Sequence, residues 1–392
     1  MWQRLLDIIS SLKLTLFCLA AALILVFAGT LAQVNLGIHV VQERYFQSLF
    51  VWWPPDSTGL KFPIFPGGHL LGGILVVNLV AAHLRRFRWT WRKLGIHLIH
   101  AGLVIMLMGG LFTDLFSVES HMRLEEGDTK NYSEDGLLVE LAVIGESGNG
   151  EEQVTAIPEK RLQQGGAIEV EDLPFRIVVK LFYLNSQLLM LDKAGPGAVR
   201  AAERGVGSQL AVFELPRASA VNDRDLESAV IEIVPHPVAG EVTAASLGTW
   251  LVSAGLGSPQ TFSAGGKQWR LEMRQARYYK PYTLTLQKFT HERYQGTEIP
   301  KNFASRITLV DPGQKENREV LIYMNNPLRY RGDTYYQAGF DKSDKATILQ
   351  VVHNPTFMAP YVACVVVGVG LLIQFAFHFA GFTRRHQEKH AS

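Results

Sequence analysis

Four stretches of this 392-residue chain are long, apolar and free of Asp, Glu, Lys and Arg, and they constrain the fold more than any other feature. They are Leu14–Leu31, Phe62–Leu84 (the span itself about 67–84, its apolar body from His69), Leu94–Thr113 and Phe357–Phe382. A helix rises about 1.5 Å per residue, so about 20 such residues cross a 30 Å hydrocarbon core. The second stretch is the weakest, because Asn78, His69 and His83 dilute it. The first has no small-residue cleavage pattern before a mature domain, and further spans follow, so it reads as a retained helix. Charged residues are 19% of the chain, against roughly 25% in soluble proteins. Mean hydropathy, +0.09, is too low for a chain wholly inside a bilayer. The two cysteines, Cys18 and Cys364, exclude a disulfide scaffold and sit in spans as small apolar residues. A net charge of +2 gives no reason to expect nucleic acid.

Orientation follows the basic residues beside the spans. The loop between the second and third spans carries Arg85, Arg86, Arg88, Arg92 and Lys93 with no acid, and Trp89 and Trp91 suit an interface. The N-terminal flank has Arg4 and Lys13 against Asp7, and the tail has Arg384, Arg385 and Lys389 against Glu388. Both termini are therefore expected in the cytoplasm, which four spans also require. In the first outer loop, Trp52-Trp53-Pro54-Pro55 reads as an interfacial aromatic anchor.

Residues 114–356 contain no span and are long enough for a real core. Short β-branched or alternating runs recur, broken by Gly and Pro: Leu137–Ile144, Phe175–Leu184, Gln209–Leu215, Ala229–Val234, Trp269–Met273, Tyr282–Phe289, Ser305–Val310, Glu319–Met324 and Thr334–Ala338. This spacing predicts an all-β sandwich or open barrel facing outside. Ala194–Gly207 reads as a loop, Asp311-Pro312-Gly313 as a turn, and Asn325-Asn326-Pro327-Leu328 as a second turn. No nucleophile elbow, zinc-protease, phosphate-loop or Cys-x-x-Cys motif is present. His121, His236, His291 and His353 are scattered, and Asp333 and Glu292 read as surface charges.

The histidines inside the spans are more informative, because ionisable groups are costly there. His83, His97, His100 and His378 fall in the cytoplasmic half, and His69 near the outer face. Neutral imidazoles in an apolar slot suit a haem iron, a transition metal or a proton path. His97 and His100 share one face of one helix, so at most one of them ligates a given haem. Snorkelling to the interface is the plainer reading for His83, His97 and His378, and less so for the deeper His100. Ala101, Gly102, Gly109 and Gly110 permit close approach of another helix or a flat ring. Mid-span Asn78 needs a hydrogen-bond partner in the bundle.

Four phrases in order, with this topology, resemble the ResB (CcsB) family of cytochrome c biogenesis proteins of System II: Ser11–Gln33, His100–Gly110, Lys288–Asp311 and Asn325–Asp341. The resemblance covers essentially the whole chain. It implies a subunit of a two-part membrane machine with CcsA (ResC), which carries haem across the inner membrane and presents it for covalent attachment to apocytochrome c. It also implies a haem b axial ligand in the third span: His100 is the first candidate, then His97, then His83, with the iron of haem held through His100. The chain is short for the family and lacks a tryptophan-rich haem-handling segment, so thioether formation is not assigned to it alone. It is expected to be non-catalytic by itself, within a holocytochrome c synthase complex. Arg329, Tyr330 and Arg331 could contact haem propionates or a partner, second to the turn reading.

The expected organisation is thus an integral membrane α-helical bundle of four transmembrane helices plus a large extracytoplasmic (periplasmic) all-β domain. Residues 1–113 hold three spans (about 14–31, 67–84 and 94–113), 114–356 the β domain, and 357–392 the last span and cytoplasmic tail. The alternative is a membrane-anchored scaffold whose β domain docks proteins without binding haem. A b-type electron carrier is disfavoured, since it needs regularly paired histidines across two helices.

Overall fold

A computed structural model describes residues 2–54, 60–86, 90–146, 152–195, 200–218, 224–236, 245–296, 300–341 and 345–390. Pro55, Arg88, Trp89 and part of the expected loop at 194–207 lie outside the described residues. The chain divides into two compact units, one of residues 1–118 and 354–392, the other built from 119–353.

The first unit contains helices α1 (Trp2–Ile9), α2 (Leu12–Leu36), the short α3 (Ile38–Val41), α4 (Gly68–Arg86) and α5 (Leu94–Phe116). Among the described residues, four helices are long and apolar enough to cross a membrane: Leu12–Leu36, Gly68–Arg85, Trp91–Phe116 and Ala359–Thr383. Ser11 caps α2 by accepting from the Leu14 amide, and Gly37, at φ 77°, ends it. Between α3 and α4 a π-turn, Gln42–Phe46, leads into a hairpin of β1 (Phe50–Trp53) and β2 (Phe62–Pro66), whose Trp52 and Trp53 are exposed.

Asn78 finds the partners its position demands. Its Nδ2 donates to the Ile9 and Ser11 carbonyls at 2.6 and 3.1 Å, and its Oδ1 accepts from Thr15 at 2.6 Å. Arg85 of α4 pairs with Asp7 of α1. The small residues of α5 serve helix packing. A Cβ on Gly95, Gly102 or Gly109 would meet atoms of Gly370, Val367 or Ala359 at about 2.5 Å, so these glycines let the last helix lie against α5.

The second unit is β-rich. In chain order its strands are β3 (Val118–Glu125), β4 (Thr129–Glu146), β5 (Glu152–Pro158), β6 (Gly166–Ile168), β7 (Phe175–Tyr183), β8 (Ser186–Met190), β9 (Leu210–Glu214), β10 (Ser228–Pro235), β11 (Thr249–Ser253), β12 (Gln260–Ala264), β13 (Lys267–Arg293), β14 (Pro300–Asp311), β15 (Glu316–Tyr323), β16 (Leu328–Tyr330), β17 (Asp333–Phe340) and β18 (Ala346–His353). One helical turn, α6 (Glu159–Gln163), interrupts them, and the last helix, α7 (Ala359–His390), belongs to the first unit. A sheet runs β15-β14-β13-β4-β3-β18-β17-β16, and a smaller one β11-β10-β7-β6. All nine expected runs are strands. Two of them, around Trp269 and Tyr282, are one continuous strand, β13. Its register against β4 breaks between Tyr279 and Leu284, where Pro281 has no amide for the ladder.

That break separates two hydrophobic cores. Leu271 and Met273 pack with Ile231, Phe175 and Trp269, whereas Tyr282, Leu284 and Leu286 pack with Ile307, Tyr335 and Val351. The Asn325–Leu328 stretch forms the expected turn, with Asn325 at φ 62° and a bridge from Tyr323 to Asn326. It joins the two ends of the long sheet and helps enclose the second core. Asp311 starts the other expected turn by accepting from the Gln314 amide.

Candidate functional site

Two antiparallel helices bring three imidazoles together. His83 lies near the end of α4, and His97 and His100 lie one turn apart near the start of α5. His97 Nδ1 is 3.2 Å from His83 Nε2, with the two rings edge to face. The His83 ring stacks on that of His100, centroids 5.0 Å apart and planes 30° from parallel. His83 and His97, expected to reach the interface singly, are half-buried and in contact with each other.

His100 Nδ1 lies 2.8 Å from the Ile96 carbonyl oxygen. A carbonyl only accepts, so Nδ1 carries the proton and Nε2 of the neutral ring keeps its lone pair. That is the state a metal-ligating imidazole needs. His378 on α7 is exposed, and its Nδ1 lies near both the Gln374 carbonyl, at 2.8 Å, and the Gln374 side-chain amide nitrogen, at 3.1 Å, so its tautomer is not fixed in the same way.

The other ends of the same helices are also joined. His69 Nε2 meets Asp114 Oδ2 at 2.7 Å, and Asp114 Oδ1 accepts from Gln47 Nε2 at 2.7 Å. His69 and His83 are 14 residues apart on α4, as are His100 and Asp114 on α5. One antiparallel register thus pairs both ends, about 21 Å apart along the axis. Asp114 lies beyond the apolar stretch read as the third span, which hid it as a partner for His69.

A cavity of ≈ 890 Å³ opens beside α4, walled by Val76, Val77, Val80, Ala81 and Leu84, with Arg85, Asp7 and Ser10 at one end. Among the described residues no group of three or more His, Cys, Asp or Glu is arranged to hold a metal ion. Within the His83–His97–His100 cluster, the contact of His100 Nδ1 with the Ile96 carbonyl leaves Nε2 as the nitrogen that could act as a donor.

A second polar centre lies in the β unit. Asp333, expected on the surface, is only 5% exposed. Its carboxylate contacts Lys280 Nζ at 2.8 Å, Tyr282 Oη at 2.9 Å and His353 Nδ1 at 2.9 Å. Burial pushes its pKa up, but the bonds from Lys280, His353 and Tyr282 together outweigh burial and hold it below the usual carboxylate range. Tyr282 also shares a 2.7 Å bond with Tyr335, and burial pushes both phenols up. Nothing local in the sequence marks this centre, because its members come from three strands. Tyr330 and Arg331 are occupied elsewhere: both donate to the fully buried Asp311, at 2.8 Å each. This commits two of the side chains considered for propionate contacts.

Residues 238–348 match the sequence model of the ResB-like family. The chain is 37% identical over 92 residues to protein NrfI of Wolinella succinogenes, covering 24% of this chain and 10% of that protein. It is 38% and 40% identical, over 78 and 62 residues, to the cytochrome c biogenesis proteins CcsB of two Synechococcus strains. Those matches cover 20% and 16% of this chain, and 17% and 13% of the relatives. The matched segments are thus a small part of each relative's length.

Proposed function

The chain belongs to the ResB-like family, and on that premise we propose that it is the haem-handling subunit of a cytochrome c biogenesis complex. In this reading it works with a CcsA-type membrane partner. Haem enters from the cytoplasmic side, is held in the bilayer with His100 as one axial ligand, and is presented on the far side to apocytochrome c. The four helices cross the inner membrane with both termini in the cytoplasm, and the β unit lies in the periplasm.

The observation that carries this reading is the His83–His97–His100 cluster at the basic end of α4 and α5. The two neighbouring imidazoles, one stacked and one hydrogen-bonded through His83, limit how the His100 ring can turn. Haem is cargo here: its iron supplies the coordination, and the chain supplies a fixed imidazole and an apolar surrounding. Exchanging one axial ligand moves no electrons and lets the ring pass on. The cavity beside α4 has an apolar wall, but its Arg85 is already paired with Asp7 and none of the three histidines lines it, so it is not assigned to the ring. The opposite axial ligand comes from the partner, because His97 lies on the same helix face as His100.

The test is the covalent haem content of c-type cytochromes in cells lacking this chain. The proposal expects apocytochrome to be made without covalent haem, restored by the wild-type gene. Normal covalent haem in its absence would sink the proposal. Restoration by a variant lacking all three histidines would favour the scaffold reading instead.

A further inference from the structure

We propose that the groove between α1 and α4 binds one zwitterionic aminophospholipid, with an acyl chain along α4 and the headgroup on the Asp7–Arg85 pair. This rests on α4 being a membrane span and not on the haem-handling reading above.

The groove is built from one side of each helix. Gln3, Leu6 and Asp7 lie on one side of α1, three and four residues apart, and Ser10 follows its end. The facing wall is Val76, Val77, Val80, Ala81 and Leu84 of α4. The helices are fastened where Asn78 Nδ2 donates to the Ile9 carbonyl at 2.6 Å and where Arg85 reaches Asp7 and Ser10. Beside these fastenings a cavity of ≈ 890 Å³ remains. Its walls are not covered by the rest of the unit: Val77 is 56% and Leu84 67% exposed.

The dimensions are those of one leaflet. From Val76 to Arg85 the helix rises about 14 Å, close to half of a hydrocarbon core about 30 Å thick. The apolar wall thus starts at the charged pair and reaches the middle of the bilayer. A phospholipid has the same division, polar at one end and apolar for the depth of one leaflet. A neighbouring helix asks for a different surface. Close approach of helices uses small residues, as Gly95, Gly102 and Gly109 do against α7, whereas the α4 wall here is Val and Leu with one Ala.

The charged end selects the headgroup. Arg85 contacts Asp7 and donates from Nη1 to Ser10 Oγ at 3.2 Å. A guanidinium carries five N–H groups, so donors remain for a phosphate oxygen. Asp7 meets Arg85 through Oδ1, and a carboxylate accepts at both oxygens. The two side chains are 49% and 55% exposed, so the pair is open to a further partner. Its charges cancel. An anionic headgroup gains from Arg85 and loses to Asp7, whereas a phosphate joined to a primary ammonium gains from both. A quaternary ammonium has no N–H to give to Asp7.

The test is native mass spectrometry of the full-length chain, released from detergent after titration with phosphatidylethanolamine, phosphatidylcholine or phosphatidylglycerol of identical acyl chains. Wild type should retain one phosphatidylethanolamine about tenfold more tightly than either other lipid. Asp7→Asn should reverse the order in favour of phosphatidylglycerol, because Arg85 then lacks its carboxylate. Ala81→Trp fills the apolar wall, leaves the charged pair in place and should reduce retention of all three lipids to loosely held background. Equal retention of the three by wild type overturns the inference, as does an order that Asp7→Asn leaves unchanged. Undiminished retention in Ala81→Trp also overturns it. If that variant instead loses co-purification with a CcsA-type partner, the groove is a helix-docking face. None of these outcomes touches the His100 reading, which haem spectra test separately.

Discussion

The His83 and His100 rings stack 5.0 Å apart although they belong to different helices, and the same antiparallel register sets His69 against Asp114 at the opposite ends. A single register error between α4 and α5 would undo both pairs. The inner cluster is therefore as well placed as the helix pairing itself, and perturbing that pairing should disturb it.

Asn78 is the polar fastener of α4. Asn78→Leu removes the bonds to the Ile9 and Ser11 carbonyls and the one from the Thr15 hydroxyl. The expected cost is about 1–2 kcal/mol, the scale of polar contacts between membrane helices. Thermal unfolding of the purified chain in detergent, followed by tryptophan fluorescence, measures it.

The glycines of α5 divide into two kinds. A side chain at Gly102 would meet Val367 at 2.5 Å and the Ala363 carbonyl at 3.0 Å, whereas Gly110 has nothing within 4 Å. Gly102→Val should destabilise by about 1–3 kcal/mol through overpacking. Gly110→Ala should stay within about 0.5 kcal/mol of wild type. Equal effects at the two positions would contradict the packing described for α5 and α7.

Glu227 gives the β unit a pH dependence of known sign. It is 4% exposed, its Oε2 has no hydrogen-bond partner, and burial raises its pKa to about 7 from 4.5. The folded state therefore binds the proton more tightly than the unfolded state, and stability falls as pH rises from about 4.5 to about 7. Glu227→Gln should leave stability near pH 4.5 almost unchanged and raise it by about 3 kcal/mol at pH 8. Urea unfolding at the two pH values is the check.

The Asp333 centre has the opposite sign. Its folded pKa lies below the ordinary carboxylate value. Its contribution is therefore complete above about pH 4 and is lost as pH falls through the folded pKa. Lys280→Met leaves the carboxylate buried without its cation and should cost about 3–5 kcal/mol at pH 7. Asp333→Asn leaves the Lys280 ammonium unpaired instead, and because that side chain is the more exposed of the two (13% against 6%) it should cost less. Urea midpoints of the two variants decide between these outcomes, and a costlier Asp333→Asn would contradict the assignment.

The spans and the three inner histidines were legible because a bilayer tolerates few ionisable groups, so His83, His97 and His100 stand out in otherwise apolar runs. Asn78 declared its need for a partner for the same reason, though not that Thr15 and the Ile9 and Ser11 carbonyls would meet it. The β unit was legible strand by strand, because alternation is local. Its long-range order was not: Pro281 hides the continuity of β13. Asp333 reads as a surface charge because Lys280 and His353 reach it only through pairing of distant strands. The β unit's most organised polar centre was therefore the part least visible in the sequence.

The most direct test of the haem-handling account is the absorption spectrum of the chain purified with a CcsA-type partner, wild type beside His100→Ala and His97→Ala. The account predicts a Soret band and a sharp reduced α band in wild type. Both should be lost in His100→Ala, restored there by added imidazole, and kept in His97→Ala. A complex that assembles with the same haem spectrum in all three would contradict it.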